Sequence, residues 1–425
     1  MPTAQSDTPT VDRLLDTAAE LFWEKGYAAT TTREIAAALR IQQASLYYHM
    51  ASKEDLLYQI FGSSLQQFLA DVPAAVQQVS DPRERIRVLI RVHVGTLLRY
   101  QKRNMTMLTE LRALSAKHRS EVVALRERYA AFMRSTLEDA QVNGGIRNDI
   151  PATYLSLALL NMLNWAARWY RENRDPSPDQ VAGLFFKLYL DGAASASARA
   201  HKSLGVPDWK APVSGKGAAS RPKRQPKPDS TVQRLLEAAV ALFSRQGYAA
   251  TSTREVAALL GMQKASLYYH IESKEDLLYF ICKSALEQIR SDVETAMGEV
   301  EDPLERTRTL ICNHVESMLR SKDEHATMLT EMYALSKGRL ASIVTLREAY
   351  VDLVRSVLRE AQNAGALRDD IDVRYLTLAL LGLLNRVLVW YRRRGPLSPG
   401  QLGQLLAVIF LAGAAPVRDE SRVIS

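Results

Sequence analysis

The chain has 425 residues, which is enough for two to four domains of ordinary size. Apolar residues make up 47% and charged residues 24% of it, a globular composition that excludes disordered, collagen-like and disulfide-scaffold proteins. Two cysteines are too few for a secreted framework, and the polar segment Met1–Thr10 lacks the pattern of a secretion signal. The apolar stretches 154–167 and 405–417 are shorter than the ~18 residues that span a bilayer. We therefore expect a cytoplasmic protein with no membrane partner.

The formal net charge is +8, from 55 basic and 47 acidic side chains, a balance compatible with a nucleic-acid partner. Most of the excess lies in residues 195–229, where eight basic and two acidic side chains stand among five prolines and three glycines. That composition cannot supply a hydrophobic core. It predicts a flexible, basic linker.

Helical periodicity at Leu14, Leu15, Ala18, Leu21 and Phe22 predicts an amphipathic helix with its apolar side chains on one face. Gly26 provides a stop for this helix. Thr31 and Glu34 have the spacing of a capping box, which predicts the start of a second helix. A turn at residues 40–43 and a short helix over residues 44–48 follow.

Ser52 is an N-cap candidate for the next helix, and long helical segments fill the rest of the copy. Helix breaks are predicted at Asp81-Pro82, near Gly144-Gly145 and at Ser177-Pro178. The sequence has no alternating strand pattern of useful length. We therefore predict an all-α fold.

The whole pattern recurs 221 residues further along, where Ser45–His49 returns as Ser266–His270. Residues 10–60 are identical to residues 231–281 at 34 of 51 positions without a gap. So long a period indicates a duplicated domain pair rather than a solenoid. The predicted domains are a first head (1–60), a first helical domain (61–194), the linker (195–229), a second head (230–281) and a second helical domain (282–416).

Two short helices joined by a tight turn form a helix-turn-helix, which places its second helix in the major groove of DNA. Glutamine and serine side chains on that helix can reach base edges, tyrosine, histidine and lysine can hold phosphates, and a helix N-terminus with an arginine can meet another phosphate. The candidate DNA-contacting residues are Thr32, Arg33, Gln42, Gln43, Ser45, Tyr47, Tyr48, His49 and Lys53 in the first copy, and Thr253, Arg254, Gln263, Lys264, Ser266, Tyr268, Tyr269, His270 and Lys274 in the second.

The two heads differ where bases are read. Lys264 stands in the position of Gln43, and because glutamine prefers adenine while lysine prefers guanine or a phosphate, we expect an operator that is only approximately palindromic. Arg40 stands in the position of Gly261. A left-handed turn would cost an arginine ~1 kcal/mol, and contact with a phosphate is the other explanation of this exchange.

These motifs resemble the Tet repressor (TetR/AcrR) family of one-component regulators. The matching segments are Thr32-Arg33-Glu34-Ile35-Ala36, Leu46-Tyr47-Tyr48-His49 and Ser52-Lys53-Glu54-Asp55-Leu56, each present again after the linker. Departures from the family pattern are Arg40 at the turn glycine, and Met50 and Ile271 at the aromatic after the histidine. The resemblance implies two tandem regulators that bind a double-stranded DNA operator, each with a helical domain for a small-molecule effector.

The resemblance further implies dimerisation through the last two helices of each copy, here residues 154–171 with 178–192 and residues 375–392 with 399–413. Fusion of two copies then makes an intramolecular pseudo-dimer available, with further self-association of chains as the alternative. The segment Asn164 to Arg171, which recurs as Asn385 to Arg392, resembles the branch that regulates fatty-acid and sterol degradation in response to acyl-coenzyme A thioesters.

Long apolar helices would line an acyl tunnel, and arginines at the helix end would meet phosphates. Simple packing at a helix end explains the same residues, so both interpretations stay open. The candidate ligand-binding residues are Glu110, Asn164, Arg168, Trp169, Glu331, Asn385 and Trp390.

The sequence gives little support to an enzyme, because no glycine-rich phosphate loop, nucleophile elbow, metal cluster or paired-carboxylate motif stands out. His93 has no neighbours at metal spacing and is interpreted as a structural histidine. Cys282 and Cys312 correspond to Phe61 and Arg91, so the copies share no redox pair. We expect no catalytic residues, no metal and no cofactor. The competing function is that of an architectural protein that bridges DNA without an effector.

Overall fold

The computed structural model describes residues 11–192 and 230–413, without the side chains of Ser230 and Lys264. It divides into two compact units, one ending at Asp191 and the other covering residues 230–413 of the described part. The predicted basic linker, 195–229, lies outside the described residues. Regular structure in both described ranges is helical, which confirms the all-α prediction.

In the first unit, the head precedes a helical bundle in the order α1 (Val11–Lys25), α2 (Thr32–Leu39), α3 (Gln43–Leu46), α4 (Lys53–Val76), α5 (Pro82–Arg99), α6 (Gln101–Thr109), α7 (Ala116–Val142), α8 (Ala152–Trp169) and α9 (Pro178–Asp191). A short 3-10 turn, Leu111–Ala113, joins α6 to α7. Helix α4 begins in the head and continues into the bundle, where it packs against α5 and α7.

The second unit repeats this order with α10 (Ser230–Gln246), α11 (Thr253–Leu259), α12 (Lys264–Tyr268), α13 (Lys274–Met297), α14 (Pro303–Arg320), α15 (Lys322–Glu331), α16 (Lys337–Asn363), α17 (Val373–Asn385), α18 (Val387–Trp390) and α19 (Pro399–Ala412). A single helix over residues 375–392 was expected here, and that expectation is wrong: the helix is interrupted at Arg386. Ala166 and Ala167 of α8 are replaced by Val387 and Leu388, and valine has the lower helix propensity.

Helix starts follow the predicted caps. The Thr31 hydroxyl accepts a hydrogen bond from the Glu34 amide at 3.2 Å, and the Glu34 carboxylate accepts one from the Thr31 amide at 2.8 Å. Ser252 and Glu255 form the same capping box in the second head. Each box satisfies amide groups that the first turn of a helix leaves without partners. Ser52 also caps its helix as predicted.

The turn after α2 contains a residue in the left-handed conformation. Arg40 has φ 59° and ψ 39°, and it is the only non-glycine residue with positive φ among those the structure describes. Gly261, in the same position of the second head, has φ 66°. Both heads therefore need a left-handed residue here. Only the second has a residue that adopts this conformation without steric cost.

The hydrophobic core of each head includes side chains from its helical bundle. In the first unit, Met107, Leu114 and Val122 are buried with the apolar faces of α1, α2 and α4. In the second unit, Met328 and Ile343 are among the bundle residues buried in the same way. The head is therefore packed onto the bundle by a continuous apolar contact.

One segment, Val373–Trp390, is long and apolar enough to cross a membrane by length and composition, with 61% of it buried within the fold. A dimerisation helix was expected from the sequence at residues 375–392, but this segment was not counted among the long apolar stretches. Arg386 interrupts its helix, and Arg374 lies in its first turn. Burial of this extent is typical of a core helix.

Replacing Arg40 by glycine should raise the free energy of unfolding by roughly 1 kcal/mol, because glycine removes the steric cost of the left-handed backbone. Chemical denaturation of the full chain, followed by circular dichroism, measures the change. Arg40→Ala is the matched control, since alanine removes the guanidinium but keeps the strain. Equal stabilities of the glycine and alanine variants would contradict this account.

Candidate DNA interface and effector site

The second helix of each helix-turn-helix is anchored by one buried leucine and surrounded by exposed aromatic rings. Leu46 is buried in the first head, whereas the neighbouring Tyr48 is 88% exposed. Tyr269 in the second head is also 88% exposed. Large aromatic side chains left in water on a positively charged protein suit a surface that a partner covers.

The other predicted DNA-contacting residues of the described part are exposed or half-buried. Arg33, Gln42, Gln43 and Tyr47 are exposed, and Thr32, Ser45 and His49 are half-buried. In the second head, Arg254, Gln263, Ser266 and Tyr268 are exposed, and Thr253 and His270 are half-buried. The side chain of Lys264 lies outside the described residues.

A different internal hydrogen bond joins the two helices in each head. In the first head, the Gln43 amide donates to the Thr32 hydroxyl at 2.8 Å. In the second head, the hydroxyls of Thr253 and Tyr268 lie 3.1 Å apart. The Gln43 side chain is therefore held by Thr32 in the first head, whereas Thr253 is joined to Tyr268 in the second.

Lys53 and Lys274 hold the head together from within. The Lys53 ammonium donates to the carbonyls of Tyr27 and Thr30, each at 2.8 Å, and lies over the Tyr27 ring. Lys274 makes the same contacts in the second head, with Tyr248 and Thr251. Burial lowers the pKa of both ammonium groups. These lysines close the loop between the first two helices, a use of the charge that the sequence analysis did not foresee.

Glu110 and Glu331, predicted as ligand-binding residues, lie beside the head. A Glu110 carboxylate oxygen accepts a hydrogen bond from the Tyr27 amide at 3.4 Å. A Glu331 carboxylate oxygen lies beside Gly247, at the end of α10. Glu110 therefore joins the bundle to the loop that follows the first helix of the head, and Glu331 lies near the same loop of the second head.

The contact between α1 and α6 in the first unit rests on a buried arginine. Arg103 is 3% exposed, and its guanidinium donates to the Asp16 carboxylate at 2.6 Å and to the Asp12 carbonyl at 2.8 Å. Lys102 pairs with Glu20 of α1 at 3.2 Å. Sequence reasoning missed both cations, although their replacement in the second copy by Asp323 and Glu324 was a signal that could have drawn attention to them.

A cavity of about 190 Å³ lies next to this contact, between α1, α6 and the end of α8. Its lining carries three cationic side chains, Lys102, Arg168 and Arg171. Trp23, Gln101, Met105 and Ala167 complete it. The volume is below the ~300 Å³ of a typical ligand pocket, so the cavity suits the anionic end of a larger molecule. Arg168 is the predicted ligand residue that the structure places here.

Asn164 and Asn385 lie beside a buried histidine in their units. The Nδ1 atom of His93 is 2.7 Å from the Tyr129 hydroxyl, and the Asn164 side chain favours the charged form of the same ring. His314, Tyr350 and Asn385 repeat this arrangement. Burial lowers the pKa of both histidines to about 3.

The second unit buries one more histidine. His325 is 1% exposed and has no hydrogen-bond partner for either ring nitrogen among the described residues. Burial lowers its pKa to about 4. The first unit has Asn104 in this position, and its amide donates to the Leu97 carbonyl at 3.0 Å. The interior polar groups of the two bundles have therefore diverged.

The tryptophans near the end of α8 and its counterpart are largely packing residues in the structure. The Trp169 ring meets Phe185 edge-on, with centroids 6.4 Å apart. The indole nitrogen of Trp390 is buried without a hydrogen-bond partner in the described part of the chain. The structure does not place either ring among the residues that line the cavity.

Family models match both units of the chain. The model described as "Bacterial regulatory proteins, tetR family" matches residues 14–60 and 235–279. The model described as "Tetracyclin repressor-like, C-terminal domain" matches residues 79–193 and 300–414. The chain belongs to the tetR family. It is a transcriptional regulator with two helix-turn-helix heads, and the predicted tandem duplication is confirmed.

Individual relatives correspond to one unit in length. The HTH-type transcriptional repressor KstR2 of Rhodococcus jostii is 31% identical over 184 residues, which is 43% of this chain and 90% of KstR2. The structure of KstR2 from Mycobacterium tuberculosis is 27% identical, with a TM-score of 0.41, and covers 43% of this chain and 95% of that one. AibR, solved with isovaleryl coenzyme A and operator DNA, is 29% identical, has a TM-score of 0.39 and covers 42% of this chain and 96% of AibR.

The buried histidines predict a loss of stability in acid. In the unfolded chain a histidine binds a proton near its ordinary pKa of 6.5, whereas in the fold His93 and His314 stay neutral down to about pH 3. The unfolded state therefore binds more protons between these limits, and stability falls as the pH falls. Each histidine should cost ~2 kcal/mol between pH 7.5 and 5.

Denaturation midpoints measured across that pH range test this expectation. Burial keeps His325 neutral in the fold in the same way, since it lowers the pKa of this histidine to about 4. His325→Asn installs the residue of the first unit and should therefore flatten the pH dependence by the contribution of one histidine. Unchanged pH dependence in this variant would show that His325 is not neutral in the fold.

Proposed function

We propose that this protein is an operator-binding repressor that releases DNA when an effector with phosphate groups, such as an acyl-coenzyme A thioester, binds its first unit. The observation that carries the proposal is the cavity with Lys102, Arg168 and Arg171, because arginine and lysine side chains that converge on one small space suit phosphate oxygens. The buried interior formed by α5, α7 and α8 is apolar, which is the environment that an acyl chain requires.

The position of the cavity supports coupling between effector and DNA. Trp23 belongs to α1 of the head, whereas Arg168 and Arg171 belong to the end of α8 or directly follow it. A phosphate bound at Lys102 competes with Glu20 for the same ammonium group. An effector thus bears directly on the α1–α6 contact that orients the head. The second unit has Ser244, Asp323 and Val389 in place of Trp23, Lys102 and Arg168, so the proposal is confined to the first.

We propose that the DNA-facing residues fall into two groups, those that contact bases and those that contact phosphates. Gln42, Gln43 and Ser45, with Gln263, Lys264 and Ser266, read bases from the second helix of each head. The exposed tyrosines and the arginines Arg33 and Arg254 hold phosphates. Lys53 and Lys274 are proposed to support the loop between the first two helices instead of contacting DNA, because their ammonium groups already bind carbonyls of that loop.

This division predicts different salt dependence for two classes of variant. Arg33→Ala should lower the log–log slope of DNA affinity against salt by ~0.9, because one phosphate contact is lost. Lys53→Met should lower the stability of the head and leave the slope unchanged. Fluorescence anisotropy with labelled DNA at several salt concentrations measures both. A reduced slope for Lys53→Met would show that Lys53 contacts a phosphate, and would contradict this division.

The complete protein tests the proposed function directly. DNA selected from a random pool supplies the operator, and free coenzyme A and acyl-coenzyme A thioesters of increasing chain length are the effector probes. We expect a thioester to release the DNA, and the double variant Lys102→Ala/Arg168→Ala to need about tenfold more of it. Asp323→Ala is the matched control from the second unit, and we expect it to need the same concentration as the natural chain.

Two other outcomes would redirect the proposal. Release by none of the probes would contradict the phosphate-bearing effector. Two chains that join two duplexes in a solution mass measurement, without response to any probe, would favour the architectural bridging protein. One chain on an operator with two similar but unequal half-sites is the expected result, because each head is complete and the heads differ at residues 43 and 264.

A further inference from the structure

The two heads are attached to their bundles by different polar contacts. In the first unit, three residues of α6 make polar contacts with α1. Arg103 binds Asp12 and Asp16, Lys102 pairs with Glu20, and the Thr106 hydroxyl donates to the Ala19 carbonyl at 3.1 Å. All three link the first helix of the head to the short helix that starts after α5.

In the second unit, the residues at the equivalent positions cannot form these contacts. Glu324 replaces Arg103, and Glu237 replaces Asp16, the acid that Arg103 binds, so the second unit has two acids where the first has an arginine and an acid. Asp323 replaces Lys102, and Ala241 replaces its partner Glu20. The buried Thr327 hydroxyl has no hydrogen-bond partner among the described residues. Burial raises the pKa of Glu324, the charges of Glu237 and Asp323 add to this effect, and a hydrogen bond with Ser321 opposes it.

The opposite side of the head is held in both units. In the first, Glu54 of α4 accepts from the Ser115 amide at 2.9 Å and lies 2.9 Å from the His118 ring nitrogen. In the second, Glu275 of α13 accepts from the Ser336 amide at 2.8 Å. Arg339 takes the place of His118 and forms an ion pair with Asp276. Arg339 keeps its positive charge at any physiological pH, whereas the charge of a histidine side chain depends on pH.

We propose that Arg103 and Glu324 are positioning residues that give the two heads unequal freedom. Arg103 fixes the first head to its bundle at α1, and the Glu54 contact fixes it at α4. Glu324 leaves the second head held at α13 by Arg339 and repelled at α10 by the pair of acids. The second head therefore turns about its α13–α16 contact. One head sets the register on DNA, and the other adjusts to the position of its half-site.

Reciprocal charge exchanges in the full chain test the proposal. Glu324→Arg places a guanidinium opposite Glu237 and copies the first unit, and Arg103→Glu places an acid opposite Asp16 and copies the second. Hydrogen–deuterium exchange of the backbone amides reports on each head separately. We expect α10 to exchange faster than α1 in the natural chain, and Glu324→Arg to slow α10 by about tenfold. Arg103→Glu should accelerate α1. Glu324→Gln, which removes the repulsion without supplying the clamp, should have a smaller effect on α10.

The affinity for operators with different half-site spacings tests whether the unequal freedom of the heads affects DNA binding. One base pair more or fewer between the half-sites moves a head by ~3.4 Å and rotates it by ~35°. We expect the natural chain to bind the selected operator and its one-base-pair variants with similar affinity, and Glu324→Arg to lower the affinity for the shifted sites about tenfold relative to the selected one. Equal exchange of α1 and α10 in the natural chain, or unchanged spacing tolerance in Glu324→Arg, would overturn the proposal. Neither result depends on the identity of the effector.

Discussion

The apolar contact between head and bundle is the constraint on which the rest of each unit depends. Met107, Leu114 and Val122 come from the bundle but complete the core of the first head, and Met328 and Ile343 do so for the second. Cores are packed at the density of organic crystals, so a shift of α6 or α15 moves the side chains that support the DNA-reading helices. Polar contacts at the same junction then decide how freely each head moves.

The sequence predicted the local structure well because its determinants are local. Capping boxes at Thr31 and Ser252, the stop at Gly26 and the proline-initiated helices depend on residues within four positions of each other. The duplication was also predicted from the sequence, because comparing the sequence with itself is enough to find it. The interruption at Arg386, between α17 and α18, was not predicted. The low helix propensity of Val387 is a weak signal, because tertiary packing often overrides helix propensity.

The site was predicted less completely because long charged side chains choose their partners in three dimensions. Lys53 follows a helix cap, and its positive charge led to the prediction of a phosphate contact. Its ammonium group instead donates to carbonyls that lie 23 and 26 residues earlier in the chain. Arg103 binds partners 87 and 91 residues earlier in the chain. No periodicity or motif encodes such contacts. The charge reversals between the copies, at residues 102 and 103 against 323 and 324, encode them indirectly.

Fusion of two copies explains why such reversals can persist. In a homodimer of identical chains, a change from arginine to glutamate at the α1–α6 contact alters both heads at once, and both lose this polar contact. In a fused chain the same change affects one head, while the other keeps Arg103 and its partners. The left-handed turn follows the same logic, since Arg40 strains one head and Gly261 relieves the other. Covalent linkage of the copies thus allows an asymmetry of structure that the symmetry of an ordinary dimer forbids.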